Sequence, residues 1–133
     1  QEVIPHIWLG GYKALESIHF LKKNNITHIL TLGHFKPCYK SNEFIHKIIP
    51  VADNPEANII QYFPETTEFI ENALKNGHNN ILVHCLAGVS RSPTILTAYL
   101  MMTQKLRWKA ALALIKRTRP FVNPNLGFIN QLR

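Results

Sequence analysis

A chain of 133 residues, 46% of them hydrophobic, is long enough for one packed core and too short for two. That composition argues for a globular fold and against disorder, no apolar run reaches membrane-spanning length, and two cysteines, Cys38 and Cys85, are too few for a disulfide framework. The formal charge of +7 comes from scattered basic residues, densest from Lys105 to Arg119, where most are expected to form the solvated face of a helix.

The elements follow in chain order. Ile4 to Leu9 reads as a short strand closed by Gly10-Gly11. Leu15, Ile18 and Leu21 recur at helical spacing, so Tyr12 to Lys23 is expected to be one helix, stopped by Asn24-Asn25. Ile26 to Leu32 is apolar and β-branched on both faces, as in a strand covered on both sides. Gly33 to Asn42 is a polar loop in which Cys38 is an ordinary thiol. Phe44 to Val51 holds a strand, and Pro50 marks it as an edge or a strand end. Asp53-Asn54-Pro55 signals a loop.

A helix from Ile60 to Lys75 turns Phe63, Phe69, Ile70, Ala73 and Leu74 inward, and Gly77 closes it. Asn80 to His84 is a strand. After it, Ile95, Leu96, Ala98, Tyr99, Leu100, Met101 and Met102 are apolar nearly all round, which predicts a central buried helix with the Met pair as core filling. Trp108 to Thr118 is amphipathic, with Trp108, Ala111, Leu112 and Ile115 inward, and a last helix begins around Asn125. Strands and helices are interspersed, so the class is α/β with one central sheet. The seven histidines show no metal-ligand spacing, and no metal or cofactor is expected.

One stretch concentrates the chemistry: His84-Cys85-Leu86-Ala87-Gly88-Val89-Ser90-Arg91-Ser92, between a strand and a helix. A loop that opens a helix offers N–H groups without helical partners, at the positive end of the helix dipole. Such a loop suits an anion. Gly88 lets the chain turn where a side chain would crowd a guest. With a cysteine at its start and an arginine fork at its end, the guest that fits is a phosphate monoester.

The stretch resembles the Cys-x-x-x-x-x-Arg signature of the protein tyrosine phosphatase superfamily. Ala87 to Ser92, Ala98-Tyr99-Leu100-Met101 and Asn123-Pro124-Asn125 resemble its dual-specificity branch, and the likeness runs from Pro5-His6-Ile7-Trp8-Leu9-Gly10 to the last residue. The resemblance implies a central mixed sheet flanked by helices, and one catalytic domain over residues 1–133. It implies a protein phosphatase that hydrolyses phosphotyrosine and phosphoserine or phosphothreonine through a phosphocysteine.

A thiolate, not a thiol, attacks phosphorus, and a helix N-terminus with a nearby cation favours it at Cys85. Arg91 is expected to clamp two phosphoryl oxygens, and the backbone of Leu86, Ala87, Gly88, Val89, Ser90 and Arg91 to cradle the group. A general acid must protonate the leaving oxygen. The pattern alone leaves Asp53, Glu43, Glu56 and Glu65 as candidates; the resemblance selects Asp53. By the same resemblance Ser92 assists departure of the sulfur, against the plainer reading of a serine in a helix first turn, and His84 orients the loop. A two-step covalent route needs no metal.

The expected partner is a phosphorylated protein, a kinase among the candidates, with neither nucleic acid nor membrane. In the family this chain resembles, members acting on inositol lipids or RNA ends tend to carry extra basic residues in this loop; Leu86, Ala87 and Val89 are neutral, so the resemblance implies a protein substrate. The chain is expected to be monomeric and to work in a reducing compartment, the cytoplasm or the nucleus. A phosphatase of a non-protein phosphate monoester, a phosphoresidue-binding module with little turnover and a sulfur-transfer enzyme are the alternatives. A basic rim that steers phosphorylated substrate inward is a secondary reading of the charge.

Overall fold

The computed structural model describes residues 1–34 and 43–133, without the side chains of residues 15 and 16. Its strands are β1 (Glu2–Ile4), β2 (Ile7–Gly10), β3 (Ile26–Leu32), β4 (Ile45–Ile49) and β5 (Asn80–His84). They form one sheet in the order β1-β2-β5-β3-β4, with β1 antiparallel to β2 and the other pairs parallel. The sheet is therefore mixed, as the resemblance implied. The helices are α1 (Tyr12–Glu16), α2 (Ile18–Lys23), α3 (Phe63–Leu74), α4 (Arg91–Gln104), α5 (Trp108–Thr118) and α6 (Leu126–Leu132).

The two-residue period of a strand divides the core between two layers. Ile7, Leu9, Leu30, Leu32, Ile81 and Val83 point to one face, where Ile70, Ala73, Ile95, Leu96, Leu100, Ala111, Ile115 and Phe128 from α3 to α6 cover them. Ile29 and Leu82 point to the other, where Leu21 buries itself with Ile18 and Phe20 beside it. Phe128 is fully buried and anchors the short α6. Its truncation to alanine would cost about 3–5 kcal/mol.

β3 and β5 match the expected strands, because strands buried on both faces read as continuous apolar runs. Pro50 follows the last residue of β4, and β4 is an edge of the sheet. Three expectations are corrected. The first strand is a hairpin, turned at Pro5-His6 with His6 at φ 71°. The helix from Tyr12 to Lys23 is two helices, because Ser17 is extended and its hydroxyl accepts the Phe20 N–H to cap α2. Met102 is not core filling: it is exposed, and its sulfur accepts the Thr67 hydroxyl at 3.4 Å. Met101 packs at the core's edge. The expected loop from Gly33 to Asn42, with Cys38, lies mostly outside the described residues. Among the described residues, no helix is long and apolar enough to cross a membrane.

Parallel pairing brings strand ends together. Gly10 of β2 and Thr31 of β3 both pair with His84 of β5. The segment after β5 therefore emerges at the carboxyl edge of the sheet, where ligands of open α/β sheets bind.

Candidate active site

Cys85 to Ser90 link β5 to α4. Each carbonyl of this loop is held by a different donor. That of Cys85 faces the His84 ring Nδ1 at 3.3 Å, and that of Leu86 accepts the Tyr12 N–H at 2.8 Å. The Ala87 and Gly88 carbonyls accept Arg119 Nη2 and Nε at 3.1 and 3.0 Å. The Val89 carbonyl accepts the Asn123 N–H at 2.7 Å, and that of Ser90 accepts both the N–H and the hydroxyl of Thr94.

This pinning shapes the loop. In a trans peptide the C=O and the following N–H point in opposite directions. Carbonyls tied outward therefore turn the amides of Leu86 to Arg91 away from those anchors. Among the described residues, the N–H groups of Leu86 to Ser90 meet no protein acceptor. The loop is a concavity of donors at the start of a 14-residue helix. Gly88 makes the bend possible at φ +68°, and a Cβ there would lie 2.8 Å from the Gly10 backbone and 2.6 Å from Arg119 Nη2.

Cys85 lies at the base, 3% exposed. The Ser92 hydroxyl is 3.2 Å from its sulfur, and the Ser92 N–H donates to the sulfur at 3.5 Å. Ser92 thus sits in the first turn of α4, and both its hydroxyl and its N–H contact the sulfur. Arg91 opens α4 and donates from Nη1 to the Val51 carbonyl at 3.0 Å, two residues before Asp53. His84 is fully buried, and its Nε2 lies 2.7 Å from the Thr31 hydroxyl. Burial, opposed by its bond to the Cys85 carbonyl, pushes its imidazole down to about pKa 4, with the charges of His46 and Arg91 adding to the depression.

Asp53 is brought to the loop by α6. Asn125 caps α6 by accepting the Phe128 N–H, donates its own N–H to the Ser90 hydroxyl at 3.0 Å, and gives its side-chain amide to Asp53 Oδ1 at 3.0 Å. Gly127 runs so close to the Pro55 carbonyl that no Cβ fits there. Two of the three rival carboxylates are paired elsewhere. Glu43 pairs with Lys22 and Glu65 with Lys47, both at 3.1 Å. Glu56 lies in the Asp53 loop, its N–H held by the Asn54 side chain.

Two residues were not singled out by sequence reasoning. Arg119 belongs to the basic stretch expected to be a solvated face, yet it is the loop's clamp and also reaches Gln1 Oε1 at 3.0 Å. Burial lowers its pKa, while the nearby Cys85 sulfur acts in the opposite direction. Asn125 stands in a motif that carried the resemblance, but with no role of its own. Its place before an apolar helix was a capping signal, whereas its reach to Asp53 is tertiary. Among the described residues, no three His, Cys, Asp or Glu side chains gather as metal ligands.

The family model for the dual specificity phosphatase catalytic domain matches residues 7–133. This chain belongs to that family. Dual specificity protein phosphatase 19 of Mus musculus is 43% identical over 97% of this chain and 58% of its own length. A MAP kinase phosphatase with leucine-rich repeats, protein 2 of Dictyostelium discoideum, is 41% identical over 98% of this chain and 18% of its own. The crystal structure of the human tyrosine phosphatase-like serine/threonine/tyrosine-interacting protein superposes with a TM-score of 0.93 at 37% identity, over 99% of this chain and 91% of that one. The chain spans about half the length of the mouse relative, and the family match covers the loop with Asp53, Arg119 and Asn125.

Proposed function

We propose that this domain is a cysteine-dependent protein phosphatase that hydrolyses phosphotyrosine and phosphoserine or phosphothreonine. The observation that carries the reading is a sulfur at the base of a loop whose carbonyls are all held by other groups, so that its amides turn the other way as donors. Membership of the family supports it.

The phosphoryl group enters the cradle, and the Cys85 thiolate attacks phosphorus. Arg91 grips two equatorial oxygens and binds them better as they spread toward a plane, which lowers the barrier rather than only tightening binding. Asp53 gives its proton to the departing alkoxide or phenoxide. Water, deprotonated by Asp53, then releases phosphate, and the Ser92 hydroxyl donates to the leaving sulfur.

Substrates are phosphorylated proteins. The neutral side chains of Leu86, Ala87 and Val89, with Leu86 61% exposed, leave the loop without the extra cations that a polyphosphorylated lipid or RNA end would use. A phosphorylated kinase is one such substrate class, since a relative bears the name of MAP kinase phosphatase. A catalytic thiolate requires a reducing compartment, so the cytoplasm or nucleus is the proposed location.

The test is hydrolysis of p-nitrophenyl phosphate, inhibited by vanadate and abolished in Cys85→Ser, which should still bind phosphate. A Cys85→Ser protein with undiminished turnover would overturn the assignment of the nucleophile. The same variant, used as a trap in a pull-down, identifies the phosphoproteins it retains.

A further inference from the structure

A row of three side chains runs across the sheet toward the loop cysteine. His46 Nε2 lies 2.6 Å from Thr31 Oγ1, and Thr31 Oγ1 lies 2.7 Å from His84 Nε2. His84 Nδ1 then reaches the Cys85 carbonyl at 3.3 Å. The register accounts for the row. His46 pairs with Ile29, His84 pairs with Thr31, and Ile29 and Thr31 share one face of β3. Thr31 and His84 are fully buried, while His46 is half-buried on the edge strand β4.

The donors can be assigned one by one. A carbonyl only accepts, so His84 Nδ1 carries the proton. Neutral His84 then presents a lone pair at Nε2, and the Thr31 hydroxyl donates to it. A hydroxyl has one proton, so Thr31 must accept from His46, whose Nε2 carries the hydrogen. The opposite arrangement is also self-consistent up to the last step. Were His46 to carry its hydrogen on Nδ1, Thr31 would donate to His46 Nε2. His84 would then need its proton on Nε2 and would lose the Cys85 carbonyl. The tautomer at the sheet edge and the one beside the cysteine are therefore a single choice.

That choice reaches the loop. Anchoring the Cys85 carbonyl turns the Leu86 N–H the other way, into the concavity. We propose that His46 is a positioning residue: through Thr31 and His84 its ring fixes which nitrogen of His84 is protonated, and so aims the first amide of the anion loop. The inference rests on the phosphatase reading only for its kinetic readout.

The first experiment uses the intact protein with 15N-labelled histidine. Long-range proton–nitrogen spectra at neutral pH should show His84 as the Nδ1–H form and His46 as the Nε2–H form. Either ring in the other tautomer overturns the proposal, whether or not the protein turns over any substrate. The second compares variants. In His46→Phe, His84 should become a mixture of tautomers, kcat/KM should fall about tenfold, part of the loss seen when a whole oxyanion donor is removed, and the pH midpoint of iodoacetate inactivation should rise. His46→Gln, whose amide can stand where the ring Nε2–H stood, should recover both readouts to within about twofold of the parent protein. A folded His46→Phe with an unchanged His84 spectrum and an unchanged midpoint overturns it. If His46→Phe does not fold, the tautomers of the parent protein decide.

Discussion

Asn125 holds the Asp53 carboxylate at 3.0 Å while its backbone N–H binds the Ser90 hydroxyl of the anion loop. One residue thus sets the spacing between the proposed acid and the cradle. Asn125→Ala removes a helix cap and should cost about 1 kcal/mol in urea unfolding. It should also lower kcat more for alkyl than for aryl phosphates, because the acid is no longer held in place. Asn125→Asp keeps a capping oxygen but sets a second carboxylate against Asp53. Like charge favours the protonated form, so the basic limb of the pH–rate profile should move to higher pH.

Asp53 itself is tested by leaving groups. Asp53→Asn should slow phosphoserine and phosphotyrosine peptides far more than p-nitrophenyl phosphate, whose leaving group needs little help, and should erase the basic limb of the bell. Equal losses on both kinds of ester would move the role to another group, Glu56 first.

Arg119 joins two consecutive loop carbonyls with one planar fork. Charge-assisted hydrogen bonds of this kind contribute about 1.5–3 kcal/mol each when buried, and less for a half-exposed side chain. Arg119→Lys keeps the charge but cannot span both carbonyls. Vanadate affinity should drop about tenfold, about 1.4 kcal/mol, in Lys and Ala variants alike. A Lys variant that binds vanadate as the parent does would show that charge alone suffices.

His84 predicts how stability responds to acid. Its folded pKa of about 4 lies below the unfolded value near 6.5, so below pH ~6.5 the unfolded chain binds more protons. Stability is then full above that pH and falls as the pH drops toward 4. The loss should reach about 3 kcal/mol at the acid end, because a tenfold difference in proton affinity is worth roughly 1.4 kcal/mol. Urea titrations between pH 7 and 4 should show this slope, and His84→Asn should reduce it, leaving the same-signed contribution of His28 and His46, whose pKa values burial also lowers.

Local signals carried much of this fold. The continuous apolar runs of β3 and β5 and the Cys85–Arg91 spacing are properties of single short segments, so they were legible in the sequence. The hairpin at His6 was not, because a histidine at positive φ carries no pattern of its own. Nor was the break at Ser17, which interrupts an apolar period that continues through it. Strand order was illegible because nothing local records that β5 lies between β2 and β3. Arg119 looked like any other cation on a basic helix end. Only the closure of the chain puts its fork under Ala87 and Gly88.

The loop's anchors come from far apart in the chain: Tyr12 at its start, Thr31 through His84 in its middle, Arg119 and Asn123 near its end. Catalytic competence therefore works as a census of whether distant segments have all arrived. Damage anywhere in that ring, however remote from the sulfur, should register in an assay as if the chemistry itself had been struck.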